Sequence, residues 1–230
     1  MPALSIIVPV FNEAQGLAAA LTALTPLRQR DVEVIVVDGG SEDASAELAR
    51  PYADQVLAAP RGRAAQMNAG AVAARSEVLL FLHADTQLPS GADRLVLDSL
   101  AHSSRRWGRF DVVIAGTNPA LRAVAAAINF RSRLSGIATG DQAIFVHRDA
   151  FQRVGGFPDI PLMEDVALSQ ALKRLSRPVC LRAKVTTSGR RWEKHGVLRT
   201  ILLMWRLRLA FFLGAEPAAL ARRYGYAPRD

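Results

Sequence analysis

The stretch VIVVDGGSEDAS, Val34 to Ser45, holds the key to the fold. An unbroken β-branched run ends abruptly at Asp38, two glycines follow, and Ser41 stands where a helix would be capped. That is the signature of a buried strand passing through a tight turn into a helix. The same unit recurs on both sides. Strands are expected at Leu4–Val10, Val32–Val37, Gln55–Ala58 and Val78–Leu82, and helices at Glu13–Leu24, Glu42–Arg50 and Arg63–Ala74, opened by Asn12, Ser41 and Gly62. Short β-branched runs alternating with alanine-rich helices predict an α/β fold, a Rossmann-like, mostly parallel sheet covered by helices on both faces.

The second half is less regular. Strands are expected at Phe110–Ala115, Ala143–Val146 and Pro178–Thr186, with helices at Gly91–Ser103, Pro119–Leu134, Met163–Leu175 and His195–Leu213. No linker rich in Pro, Gly or Ser divides the chain, so the two halves are expected to share one sheet. The expected division is a main domain over 1–195 and an apolar, basic helical tail over 196–230.

Composition narrows the classes. With 230 residues, 50% hydrophobic and 22% charged, the chain can bury one sizeable core. Its net charge of +8 comes almost wholly from arginine, since Lys173, Lys184 and Lys194 are the lysines. Nucleic acid, anionic lipid and phosphorylated substrates all suit such a charge, as does an arginine-rich genome. The arginines are dispersed and not interleaved with aromatics, which argues against nucleic acid. Cys180 stands alone, which fits a reducing compartment. Met1–Val10 has neither a basic flank nor a cleavage site, so no signal peptide is expected, and no run of about 18 uncharged apolar residues suggests a membrane span.

In doubly wound sheets, ligands bind beyond the carboxyl ends of the strands. That rule points to Pro9–Glu13, Asp38–Asp43, Pro60–Arg63 and His83–Thr86. In LLFLHADT, Leu79–Thr86, a buried strand delivers His83 and Asp85 to its tip, two residues apart and on one side. They could hold a divalent ion such as Mg or Mn, or serve as a capping acid and a satisfied histidine. Asp38 is placed to accept hydrogen bonds from a base or ribose, and Gly39 and Gly40 let a ligand approach the backbone. Glu164 and Asp165 open an apolar-periodic helix, where acids complement the helix dipole or act as a general base. Arg190, Arg191 and Trp192 follow a strand and a glycine, where arginine suits a diphosphate and tryptophan a stacking face.

The order of SIIVPVFNE, VVDGGSED, HAD, GDQAIFVHRDAF with GGF, the Glu164–Asp165 pair and a late RRW resembles glycosyltransferase family 2, from about Leu4 to His195. It is similar to a short member of that family with the GT-A fold, in a small bacterial subgroup. The resemblance implies an enzyme, a metal-dependent and inverting transferase that moves a single sugar from a nucleotide-diphosphate donor, a UDP-sugar first and a GDP-sugar second. By the same resemblance, Pro9, Phe11, Glu13, Asp38 and Gly39 hold the nucleoside, with Asp38 at the base. Arg63 and Asn68 lie beside ribose and diphosphate, Asp85 and His83 hold Mn or Mg, Asp165 with Glu164 beside it is catalytic, and Arg191 with Trp192 lies at the diphosphate. Two departures stand out. His83 replaces the first acid of the family's D-x-D motif, and Ser188 stands where Q-x-x-R-W has glutamine. A catalytically inactive nucleotide-sugar binder is therefore one alternative. A sugar-phosphate nucleotidyltransferase is another, although PVFNE lacks that class's glycine-rich basic loop.

Gly196–Leu213 is crowded with apolar residues broken by Arg199, Arg206 and Arg208. Two readings fit. The segment could dock at the inner face of a cytoplasmic membrane and present the site to a lipid-linked acceptor, or it could pack on its own domain or a second subunit as a homo-oligomer.

Overall fold

A computed structural model describes residues 1–226, so positions 227–230 of the expected tail lie outside the described residues. The aliphatic runs of the first half become β1 (Leu4–Val10), β2 (Val32–Asp38), β3 (Gln55–Ala58) and β4 (Val78–Phe81). Between them stand α1 (Ala14–Thr22), α2 (Thr25–Arg28), α3 (Ser45–Ala49) and α4 (Arg63–Ala73). The second half adds β5 (Thr86–Gln87), α5 (Ala92–Ala101), β6 (Trp107–Ala115), α6 (Ala120–Ser135), β7 (Phe145–His147) and α7 (Arg148–Arg153). It continues through α8 (Glu164–Lys173), β8 (Val179–Ser188), α9 (Arg190–His195), α10 (Val197–Phe212) and α11 (Pro217–Tyr224).

Among the described residues, one eight-stranded sheet runs in the order β3-β2-β1-β4-β7-β6-β8-β5. β1 pairs in parallel with β2 and β4, β2 with β3, and β6 with β8. β7 runs antiparallel to β4 and β6, and β5 antiparallel to β8. The carboxyl ends of β1, β2, β3, β4, β6 and β8 therefore emerge along one edge. The second half delivers its loops to the same edge as the first.

The alternating faces of the buried strands make two apolar layers. Ile6, Val8, Val34 and Leu80 pack with Leu17 and Leu21 of α1 and Val96 of α5. Ile7, Ile35, Val37 and Leu79 pack on the other side with Met67 of α4 and Leu168 and Leu172 of α8. Burying both faces is what requires the near-continuous aliphatic runs read from the sequence.

Several elements differ from expectation. The helix expected over Glu13–Leu24 is kinked at Gln15 and Gly16, where glycine takes φ 95°, and a separate turn of helix starts at Thr25. Asn12 and Ser41 cap no helix. Instead the Asn12 N–H donates to Ser41 Oγ and the Glu42 N–H to Asn12 Oδ1, which stitches the loop after β1 to the loop after β2. β5 was not expected at all, being two residues long.

Gly70 sets how closely α4 can approach the sheet, because a Cβ there would overlap Ile7 Cγ2 and lie 3.1 Å from Val37 Cγ2. Gly70→Ala should destabilise the chain by roughly 1–3 kcal/mol through overpacking, despite alanine's better helix propensity. The melting temperature checks this; a value at or above the native one would mean that α4 has room to lift away.

Candidate active site

Two cavities open at the carboxyl edge and share a wall made of Arg63, His83, Asp85 and Tyr226. The first, about 530 Å³, is lined by Pro9 near the end of β1, by Phe11 and Glu13 after it, and by Arg61 and Arg63 after β3. The Arg61 guanidinium stacks on the Phe11 ring, 4.2 Å from its centre. Gln66 forms part of the same wall, and its Nε2 donates to the carbonyls of Val10 and Val37, tying the ends of β1 and β2 together. The second cavity, about 710 Å³, runs between α6 and α10 and reaches Asp165 and Asp141.

Asp38 and Asn68 are placed differently from these cavity walls. The Asp38 carboxylate accepts from the N–H groups of Gly40 and Ser41 and from the Ser41 hydroxyl, so it shapes its own turn. Gly39 lies against Gln66, whose side chain would be about 3.0 Å from a Cβ at that position. Asn68 bonds both ways with the backbone of Phe157, pinning the loop after α7.

The adjacent acids of α8 have distinct partners. Glu164, almost fully buried, forms an ion pair with Arg63 at 2.8 Å. Asp165 accepts hydrogen bonds from the Gly140 and Val166 N–H groups, each at 2.7 Å. Burial first, and the charge of Glu164 second, push the Asp165 carboxyl up to about 7, against the opposing pull of Arg63. A carboxyl with that affinity is suited to exchange a proton near neutral pH. Met163, just ahead, holds φ 70°, the left-handed region, and is fixed there by packing with Leu162, Leu207 and Leu220.

Asp85 stands where both cavities meet, its side chain 35% exposed. His83 is held neutral by burial and by the Arg63 charge. Its ring packs on Gly140, where any Cβ would clash with it. Arg190 reaches across from α9 to within 3.6 Å of Glu13 and 4.0 Å of Asp85. Burial raises the affinity of Glu13 for a proton, offset in part by Arg190. The described residues contain no group of three or more His, Cys, Asp or Glu side chains that could hold a metal ion. One accessible carboxylate beside a neutral imidazole still fits a hard ion that takes its remaining ligands from a diphosphate and water.

Arg191 and Trp192 border the second cavity rather than the first. The Arg191 guanidinium stacks 3.6 Å from the centre of the Tyr224 ring and donates to the Tyr224 carbonyl, so it anchors the end of α11. Tyr226 packs edge-to-face with Tyr224, and the Arg63 guanidinium lies over the Tyr226 ring, 5.5 Å from its centre. Sequence reasoning missed Gln66, Asp141, Tyr224 and Tyr226 as site residues. Arg61 lay inside a flagged strand end and could have been named; the two tyrosines carry no local signal.

The glycosyl transferase family 2 model matches residues 5–152. Glycosyltransferase AglE of Haloferax volcanii is 33% identical over 94 residues, covering 37% of this chain and 31% of that protein. An undecaprenyl-phosphate 4-deoxy-4-formamido-L-arabinose transferase of Pseudomonas fluorescens is 35% identical over 97 residues, 37% of this chain and 28% of that protein. The match thus spans less than a third of either relative's length. Among solved structures, S. aureus TarS 1–349 in complex with UDP-GlcNAc superposes with a TM-score of 0.65 at 16% identity, covering 81% of this chain and 58% of that one. The mannosyltransferase PcManGT from Pyrobaculum calidifontis, in complex with GDP-Man and Mn2+, gives 0.61 at 22% identity over 99% of this chain and 66% of that one. These likenesses show the GT-A fold.

The raised Asp165 affinity has a consequence for stability. Between pH 3.8, where the free carboxyl titrates, and about 7, the folded chain holds a proton that the unfolded chain has lost, so stability falls as pH rises through that window. Asp165→Asn removes the ionisation. Its melting temperature relative to the native chain should climb as pH goes from about 5 to about 8; a pH-independent difference would mean the carboxyl is not shifted.

Proposed function

The chain belongs to glycosyltransferase family 2, and from that premise we propose that it is an inverting enzyme moving one sugar from a nucleotide-diphosphate donor to an acceptor hydroxyl. The observation that carries this reading is the pair of cavities meeting at Asp85, with Asp165 reached from the second. The first cavity suits the donor, with Pro9, Phe11 and Glu13 at the nucleoside and Arg61 and Arg63 at the diphosphate. Asp38 and Gly39 contribute by shaping the adjoining loop. A UDP-sugar is the first choice and a GDP-sugar the second; TarS and PcManGT are found with one of each.

In the proposed step Asp165 removes the acceptor's hydroxyl proton as the oxygen attacks the anomeric carbon from the face opposite the diphosphate. The bond to the diphosphate oxygen breaks, and its electron pair leaves with the nucleotide. Asp85, with His83 beside it, would hold Mn or Mg, which supplies positive charge for the leaving diphosphate. Arg190 adds a further cation at that mouth, and Glu164 keeps Arg63 in place. Direct displacement needs the base and the leaving group on opposite sides of the sugar, and the common wall of the two cavities offers that arrangement.

The acceptor is proposed to be lipid-linked, consistent with the undecaprenyl-phosphate transferase relatives. Among the described residues no helix is long and apolar enough to cross a membrane. The outer face of α10 does expose Leu198, Leu202, Trp205, Leu209 and Phe212 beside Arg199 and Arg206. We place that face on the cytoplasmic surface of an anionic membrane. Vesicle flotation should carry the chain upward with anionic lipid and less so in high salt; a chain that stays down and elutes as a dimer would assign the stripe to a subunit interface.

Donor hydrolysis, with water as surrogate acceptor, tests the chemistry across UDP- and GDP-sugars with and without Mn. Asp165→Asn should lower turnover by roughly 10²–10⁴-fold and leave the donor KM nearly unchanged. Native kcat/KM should rise with pH and level off above about 7. Near-full activity in the Asn variant would remove Asp165 as the base, and no turnover with any nucleotide sugar would favour a binding protein.

A further inference from the structure

Two helices line the second cavity with the same spacing. From α6 come Ala120, Ala123, Val124, Ala127, Ile128 and Arg131; from α10 come Val197, Thr200, Ile201, Met204, Trp205 and Arg208. Each set runs i, i+3, i+4, i+7, i+8, i+11, one face of a helix over three turns. Both faces are small or apolar until the final position, apart from Thr200, whose hydroxyl is taken by the Gly196 carbonyl. At the final position each presents an arginine.

The helices run the same way. Their first turns lie together, since Val197 and Ile201 pack with Leu121 and Val124. Their arginine ends converge on the start of α8. Arg131 sits in the field of Asp141 and Asp165, and Leu207, next to Arg208, packs with Met163 and Val166. The cavity is thus a trough with apolar walls that ends in arginines set beside Asp141 and Asp165.

The arginine donors stand out. Among the described residues, Nε and Nη2 of Arg131 and Nε of Arg208, Arg191 and Arg109 are buried and make no hydrogen bond, and all of these arginines but Arg109 line this cavity. Leaving a buried donor unsatisfied costs roughly 1–3 kcal/mol, more for a charged group. Buried orphans of this kind call for an explanation. Planar guanidinium groups bind phosphate oxygens bidentately, and here they border a space of about 710 Å³. A free sugar or inorganic phosphate would leave the long apolar walls unused.

We infer that this trough is the binding site for an amphipathic phosphate ester, with a prenyl or long alkyl chain between α6 and α10 and its phosphate at Arg131 and Arg208. The inference rests on the glycosyl-transfer reading for its purpose, since it makes the lipid phosphate the anchor of an acceptor in which the same phosphate also carries the group whose hydroxyl is brought to Asp165. Trp205 marks the exit. It lines the trough while 69% exposed, and Leu202, Leu209 and Phe212 continue the apolar track outside. A chain longer than the trough leaves along that track instead of into water.

The test is titration calorimetry on the full chain with farnesyl phosphate, farnesol and inorganic phosphate as probes, and with UDP and GDP plus Mn as a separate arm. Farnesyl phosphate should bind at least about tenfold tighter than either farnesol or phosphate, as a charge-assisted pair of bonds warrants. Arg131→Gln combined with Arg208→Gln should remove most of that advantage while leaving nucleotide binding as it was. Ala127→Phe, which fills the trough and spares the arginines, should weaken farnesyl phosphate and farnesol alike, and it serves if the double variant fails to fold. Farnesyl phosphate binding no better than farnesol, or binding unchanged in both variants, overturns the inference. Loss of the nucleotide arm alone would sink the transferase reading and leave the trough standing.

Discussion

The ion pair between Arg63 and Glu164 is the contact on which the site depends. Arg63 opens α4 at the end of the parallel half, Glu164 opens α8 in the other half, and they meet at 2.8 Å with Glu164 almost fully buried. One bond thereby fixes the spacing of the two helix starts and the wall that both cavities share. It also separates the roles of two neighbouring acids. The arginine neutralises Glu164, and the remaining carboxylate, crowded by burial and by its neighbour's charge, holds its proton toward neutral pH. Without the arginine a buried carboxylate would be left uncompensated, which folded chains rarely tolerate.

Around that pair, close packing takes the place of charge. Where the family's D-x-D pattern has a first acid, His83 brings a neutral ring that packs against Gly140. The exchange lowers the negative charge beside Asp85, and Arg190 lowers it further by leaning over both Asp85 and Glu13. The mouth of the first cavity is thus less acidic than the family motif implies. Arg61, Arg63 and Arg190 at or near its rim suit an anionic guest.

Much of this was legible in the sequence, for identifiable reasons. β1 falls where its aliphatic run begins and ends, because a strand buried on both faces is almost wholly apolar, and the GT-A architecture followed from the order of motifs. The strand-end rule led to Pro9, Phe11, Glu13, Arg63, His83 and Asp85, all on cavity walls. What escaped was anything settled by distant partners. Asp38 escaped for a different reason: its partners at Gly40 and Ser41 are local, but residue type alone does not say whether a carboxylate at a strand end serves its own turn or a ligand. Nothing near Arg191 announces Tyr224, which is 33 residues away in the chain and touches it face to face. The trough is of the same kind, since its walls come from helices widely separated in sequence.

The left-handed residue at the start of α8 has a further implication. Met163 fixes where the helix begins, and successive side chains on a helix point about 100° apart. Glu164 and Asp165 therefore face different surroundings only because the helix is locked in angular phase. Shifting the register by one residue would turn the arginine's partner toward the second cavity and hide the Asp165 carboxyl. The order of the two letters, E before D, thus carries information that their composition does not.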